Sequence, residues 1–264
     1  MRLEAIDLNV GYDAAHVSQR HISFSLESGQ VCCVLGPNGC GKSTLFNTLL
    51  GYLPPRSGKA VIDRGQGQEN IHDMSAHERA DVMAYVTQNH QPPFPYETHD
   101  VVEMGLVNRV GFGGRLSAND QHLVDEAMQE LGIWDLRDEI YTQLSGGELQ
   151  LVMIARALVQ QPDFILMDEP TAALDYGNEI RVIEQVRKLR DRGIGVLMTT
   201  HDPDHAFLLD ADVVLLAKDQ PMLKGNCRDV LTDDNVRKAY GTEVYRVQYE
   251  TRNGKRMYLC VPDI

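Results

Sequence analysis

Short segments rich in apolar and β-branched residues recur along the chain, at residues 22–26, 31–35, 164–167, 194–200 and 213–217. Each has the length and composition of a strand. Between them lie stretches such as Ile180, Ile183, Val186 and Leu189, whose three-residue spacing puts the apolar side chains on one helical face. Uninterrupted apolar strands alternating with amphipathic helices predict an α/β fold, a parallel sheet covered on both faces.

The pattern changes between residues 89 and 161. QPPFPYETHD reads as a proline-rich connector and GFGGRLSAND as a glycine-rich loop, while Leu123, Ala127 and Leu131 keep a helical period. This segment is expected to be a helical insertion in the sheet domain. After Tyr240, two alternating segments flank Asn253-Gly254, which predicts a hairpin over residues 243–261. The expected division is therefore a core of residues 1–88 and 162–240, a helical unit of 89–161, and a tail of 241–264. That hairpin is too short for a core of its own, so it must pack on the main domain or on a partner.

The 264 residues suffice for one large domain or for a domain with a subdomain. A net charge of −13 argues against nucleic acid as main partner, because a nucleic-acid surface needs a basic stripe. No apolar run approaches the roughly 18 residues that span a bilayer, and MRLEAIDLNV lacks a signal-peptide pattern. A cytosolic location is expected, with any membrane association through a partner. The five cysteines, Cys32, Cys33, Cys40, Cys227 and Cys260, show no metal-ligand spacing.

The run at 31–35 leads into Gly36, Pro37, Asn38, Gly39, Cys40, Gly41, Lys42, Ser43 and Thr44, and a helical pattern (Leu45, Leu49, Leu50) leads out. This GxxxxGK[ST] spacing predicts a phosphate cradle. The glycines let backbone N–H groups face the phosphates, Lys42 adds a mobile charge, and the Ser43 hydroxyl suits Mg²⁺. Cys40 lies inside the loop, so alkylation there is expected to block nucleotide binding.

A second feature, FILMDEP, ends an apolar strand on Asp168 and Glu169, at the strand end where ligands sit in open α/β sheets. Asp168 can hold Mg²⁺ beside Ser43, and Glu169 can polarise a water attacking a γ-phosphate. A third, LSGGELQ, opens another helical run at Ser145, Gly146 and Gly147, and predicts a second anion site at a helix start.

GPNGCGKST, LSGGE and ILMDEPTAALD, in this order, resemble the ATPase subunits of ATP-binding cassette (ABC) systems over roughly the first 240 residues. The resemblance implies a P-loop NTPase core, an antiparallel β subdomain beside it, and ATP with Mg²⁺ as cofactors. It also implies roles. Tyr12 is similar to the aromatic that stacks on adenine, and Gln88 to the glutamine that reaches Mg²⁺ and the attacking water. Asp175 resembles the aspartate near a partner's phosphate loop, and His201 the switch histidine at the γ-phosphate. Ser145, Gly146 and Gly147 match the signature turn that meets the opposite subunit's nucleotide, although Glu148 stands where glutamine is commonest. The other histidines, His205 included, are expected at the surface.

The implied assembly is an ATP-sandwich homodimer beneath separately encoded permease subunits, serving a substrate-binding protein indirectly, on the cytoplasmic face of the membrane. The expected function is to power an importer. Residues 101–133 resemble the metal-chelate group, so a ferric siderophore or haem is expected ahead of cobalamin or molybdate. That group often carries an arginine sooner after the glycine than this chain, which reads Gly105-Leu-Val-Asn-Arg109. The competing readings are a soluble ABC ATPase acting on ribosomes or DNA, and a cytosolic ATPase of cofactor assembly.

Overall fold

A computed structural model describes residues 1–13, 17–88, 94–109, 115–218 and 220–263. From the N-terminus, β1 (Arg2–Gly11) and β2 (Val17–Glu27) precede β3 (Val31–Leu35) and α1 (Lys42–Leu49). Next come β4 (Ser57–Asp63), β5 (Gln68–Asn70), α2 (Ala76–Val82) and β6 (Met83–Val86). Helices α3 (Thr98–Glu103), α4 (Ala118–Glu130) and α5 (Gly146–Leu158) follow in succession. Then β7 (Phe164–Met167), α6 (Tyr176–Asp191), β8 (Gly195–Thr200), α7 (Asp204–Leu209) and β9 (Asp212–Leu215) alternate. Finally β10 (Leu223–Asn226), α8 (Cys227–Val230) and α9 (Asp233–Tyr240) lead to β11 (Val244–Glu250) and β12 (Arg256–Pro262).

The central sheet runs β10-β9-β3-β8-β7-β6, parallel throughout except for β10 at its edge. Its strands bury both faces, and the period of two sorts their side chains between two cores. Val31, Cys33 and Leu35 face the helices, with Ile165, Met167, Val196 and Met198. Cys32 and Val34 face the opposite way, with Phe164, Leu166 and Leu197, onto α1 and the antiparallel sheet β2-β1-β4-β5. This is the expected P-loop core with its antiparallel β layer.

Several boundaries differ from the apolar runs. The run at 22–26 lies within a longer β2, and its own residues alternate between buried and more exposed. The run at 213–217 starts one residue late and ends two late, because β9 stops at Leu215 and the chain continues toward the phosphate loop. Strands β1 and β4 carry no such continuous run, while β6 is an apolar segment, Met83–Val86, that was not singled out as a strand.

The helical segment packs against the core mainly through α5, which contacts α3, α4 and α6. Gly105 has a packing reason: a Cβ there would meet the Arg156 carbonyl oxygen at 2.2 Å and the Val159 Cγ2 at 2.5 Å. Residues 91–93 of the proline-rich connector and 111–114 of the glycine-rich loop lie outside the described residues. The terminal hairpin forms around a Thr251–Lys255 loop closed by 2.9 Å backbone bonds, with Gly254 at φ 75°. It packs on α7 of its own chain, where the Tyr258 and Phe207 rings lie 5.7 Å apart. Among the described residues, no helix is long and apolar enough to cross a membrane.

Candidate active site

The phosphate loop joins β3 to α1, as the glycine spacing predicts. Gly36 is at φ 149°, and a Cβ on it would lie 2.3 Å from the Leu216 carbonyl oxygen. Gly41 caps α1 in the left-handed region at φ 106°, with no side-chain cap and no acidic residue in the first turn. The start of α1 is thus left for a ligand. Tyr12, Asn38, Gly39, Gly41, Lys42, Ser43 and Thr44 share an open cleft of about 530 Å³ with Gln88 and Glu169. Gly36 and Cys40 are buried behind it, and burial pushes the Cys40 thiol above its ordinary pKa.

The carboxylates come from the end of β7. Asp168 is buried at 6 % exposure, and the Thr199 hydroxyl donates to its Oδ1 at 2.6 Å. The same hydroxyl accepts the Glu169 N–H at 2.8 Å, so one side chain of β8 fixes both acids. Glu169 sits at φ 45°, an unusual backbone for a residue with a Cβ, and that bond helps to hold it there. Burial pushes the neighbouring Tyr85 phenol up to about 12, and the Asp168 carboxylate adds to the shift.

Glu169 is the centre of the constellation. Gln88 Nε2 donates to its Oε2 at 3.0 Å, and His201 Nδ1 lies 3.7 Å from the same oxygen. Lys42 Nζ lies 3.6 Å from Oε1 and donates to the Gly36 carbonyl at 2.7 Å. Residues scattered over 160 positions of sequence therefore meet at one carboxylate (from Lys42 to His201). Tyr12 stands at the cleft mouth, 64 % exposed, with its ring available for stacking.

Ser145, Gly146, Gly147 and Asp175 do not line this cleft. Ser145 caps α5, where its hydroxyl accepts the Glu148 N–H and donates to the Glu148 carboxylate at 2.6 Å. The Glu148 carboxylate also accepts the Ser145 N–H at 2.9 Å, a closed capping box. The start of α5, expected to be a second anion site, thus carries a carboxylate of its own beside the Gly146 and Gly147 turn. Asp175 caps α6 by accepting the Asn178 N–H at 2.9 Å, and Gly147 lies so close to Asn178 that a Cβ would meet its Cγ at 2.2 Å.

Two kinds of supporting residue escape sequence reading. Gln19 on β2, nearly fully buried, donates from Nε2 to the carbonyls of Cys40 and Ala217, both at 2.9 Å. It ties the phosphate loop to the end of the central sheet, and nothing in its local sequence marks it. His205 is not at the surface but 2 % exposed, because α7 turns it back under β8. Its Nδ1 meets the Thr200 hydroxyl at 2.8 Å and its Nε2 pairs with Glu179.

Fold and site together define a P-loop nucleotide hydrolase. The family model of the ABC transporter matches residues 19–172. An uncharacterized ABC transporter ATP-binding protein of Haemophilus influenzae is 42% identical over 92% of this chain and 90% of its own. The molybdate import ATP-binding protein MolC of the same organism is 31% identical, over 93% and 90%. The hemin import ATP-binding protein HmuV of Burkholderia ambifaria is 34% identical, over 88% and 91%. Among solved structures, a metal-chelate type ABC transporter in an inward-facing conformation matches with a TM-score of 0.87 and 29% identity, covering 99% of this chain and 97% of that one. The chain belongs to the ABC transporter ATPase family: it binds ATP and hydrolyses it in support of transport.

Proposed function

We propose that this chain is the ATP-hydrolysing subunit of an importer for a metal chelate, an iron chelate such as haem or a siderophore first. The observation that carries the enzymatic part is the convergence of Lys42, Gln88 and His201 on the Glu169 carboxylate. In this reading Glu169 accepts a proton from the attacking water, while Gln88 and His201 orient that water and the γ-phosphate. Lys42 leaves its resting bond to the Gly36 carbonyl to compensate phosphate charge. Tyr12 stacks on adenine, and the backbone of Gly36 to Thr44 cradles the phosphates. The roles of these residues rest on geometry and on the family motif.

The donor set suits Mg²⁺, because Ser43 supplies a hydroxyl, Asp168 a buried carboxylate and Gln88 an amide whose nitrogen already faces Glu169. When bound there, the ion neutralises charge on the β- and γ-phosphates.

The signature turn lies off the cleft, so a second copy must bring Ser145, Gly146 and Gly147 to the nucleotide. That favours a two-fold dimer with ATP sandwiched between the copies and Asp175 beside the opposite phosphate loop. The permease contact is placed on the helical unit near Gln88. A groove of about 340 Å³ between Tyr85 and Thr87 on one side and Arg156 and Gln160 on the other offers a seat for a short cytoplasmic helix. A substrate-binding protein would act on the outer side of that permease, which places this subunit on the cytoplasmic face of the membrane.

The hemin-import relative supports the iron-chelate reading, and the molybdate-import relative supports an oxyanion as the second reading. Reconstitution with the adjacent permease and its binding protein decides between them. ATPase stimulation is expected with binding protein loaded with haem or a ferric siderophore. Stimulation by molybdate alone moves the assignment to the second reading, and stimulation only by a sugar or peptide discards both.

A further inference from the structure

The chain beyond β9 reaches back to two of the loops that carry site residues, the phosphate loop and the loop that follows β8. Helix α9 ends at Tyr240, whose hydroxyl accepts the Gly36 N–H at 3.1 Å. Gly36 opens the phosphate loop, and its carbonyl is the acceptor for Lys42 Nζ. One peptide unit away from β3, the loop is thus held from behind by Tyr240 and engaged in front by the lysine. Twenty residues after Tyr240, the Cys260 N–H of β12 donates to Asp204 Oδ1 at 2.8 Å. Asp204 opens α7, three residues after His201. The Tyr258 ring packs on Phe207 of the same helix, with the Arg246 guanidinium 5.0 Å from the centre of the Tyr258 ring.

We propose that the C-terminal segment is a positioning brace for ATP: Tyr240 sets the phosphate loop through Gly36, and β12 sets the His201 loop through Asp204. The bland alternative, a tail that only buries apolar surface, does not account for these contacts. Both anchoring bonds are polar, both are long-range in sequence, and each ends on a loop that carries a site residue. Gly36 is also confined on its other side by the Leu216 carbonyl, so loss of the Tyr240 acceptor leaves its N–H without its partner in a tightly packed position. Tyr240 and Asp204 touch no nucleotide in this scheme. They act through Gly36 and through the start of α7.

The proposal rests on the roles given above to Lys42 and His201, and the test separates the two. Steady-state ATPase is measured on the purified full chain carrying Tyr240→Phe, which keeps the ring and deletes only the acceptor. The KM for ATP is expected to rise about three- to tenfold, the value of one hydrogen bond, with kcat changed less than about twofold. Asp204→Ala is expected to lower kcat with little change in KM, and Asp204→Asn, whose amide oxygen still accepts from Cys260, to restore it. A tail that only stabilises would lower the melting temperature without splitting KM from kcat in this way. Glu169→Gln is run in parallel. If it retains turnover, the site reading itself fails. If it is inactive while Tyr240→Phe keeps the wild-type KM and the two Asp204 variants behave alike, the brace alone is overturned. Should Tyr240→Phe not stay folded, hydrogen exchange of the Gly36 amide in the wild type replaces it. Slow exchange is expected, and exchange at the rate of an exposed loop overturns the proposal.

Discussion

Two helices of this protein begin at glycine turns, and they treat their positive ends in opposite ways. Helix α1 starts from Gly41 with no side-chain cap and no acid in its first turn. Helix α5 starts from Ser145 and closes its own terminus with the Glu148 carboxylate. The first leaves its N–H groups and dipole to a ligand, while the second has supplied an anion of its own. A glycine turn is therefore a permissive mark for an anion site and not a sufficient one. The side chains of the first turn decide. In the proposed sandwich dimer, a phosphate brought to α5 by a second copy would meet a carboxylate as well as the helix start, so Glu148 is expected to oppose closure on ATP.

The largest effects are expected on the α1 side. Glu169→Gln should lower turnover by at least about 100-fold while leaving ATP binding intact, since only the proton acceptor for the attacking water is lost. Lys42→Ala should instead weaken ATP binding itself. Size-exclusion chromatography with ATP and Mg²⁺ distinguishes them: a trapped dimer is expected for Glu169→Gln and none for Lys42→Ala. A monomeric Glu169→Gln protein beside an active wild type would remove the basis for the composite site.

Next in size is Thr199→Val, which keeps the shape of the side chain and deletes the hydroxyl joining Asp168 to Glu169. Turnover is expected to fall about tenfold, and stability by about 1–3 kcal/mol, because the Glu169 N–H loses its partner. Wild-type turnover in this variant would show that the φ of Glu169 is held by other means.

The α5 side should respond more weakly and with a change of sign. Ser145→Ala removes the cap and should cost about 1 kcal/mol by chemical denaturation. Glu148→Gln preserves the box, in which glutamine serves as well, and removes the charge. The ATP concentration needed for dimerisation should then drop about two- to fivefold, the range of a helix-terminus charge effect. No change, or a rise, would mean that the carboxylate moves out of the way at no cost.

The smallest effect follows from acid. Hydrogen bonds from the Ser145 side chain and backbone hold the Glu148 carboxyl below its ordinary value of 4.5. A depressed value in the fold means that the cap stabilises fully above that ordinary value and is lost as pH falls through the lowered one. Hydrogen exchange at the start of α5 should therefore accelerate below about pH 4.5 in the wild type, and not in Glu148→Gln. Equal acceleration in both would assign the acid sensitivity to other carboxylates.

Much of the architecture was legible because the central strands are buried on both faces. β3 and β7 match their apolar runs to the residue, since a strand with no exposed side has no polar positions to blur it. Strands β1 and β4 were not legible in the same way, because about half of their residues are not fully buried and polar residues interrupt the apolar ones. The site residues stood out through motif spacing: glycines before Lys42, an acid pair after an apolar strand, and a histidine after another. His205 was misplaced at the surface because its burial depends on α7 turning beneath β8, which four residues of sequence do not reveal.

By itself the sequence placed this chain among ABC ATPases, with a glycine-rich phosphate loop after one strand and an acid pair after another. Those are properties of short segments, where spacing alone sets which backbone groups and side chains share a turn. Only the tertiary structure decided that Lys42, Gln88 and His201 meet on Glu169, that Gln19 and Tyr240 hold the phosphate loop from two other layers, and that Glu148 closes a capping box on Ser145. The first two are contacts across many residues, set by how the sheets and helices pack. The third hangs on a side-chain rotamer, since the same Glu148 turned away from Ser145 would have left the terminus open.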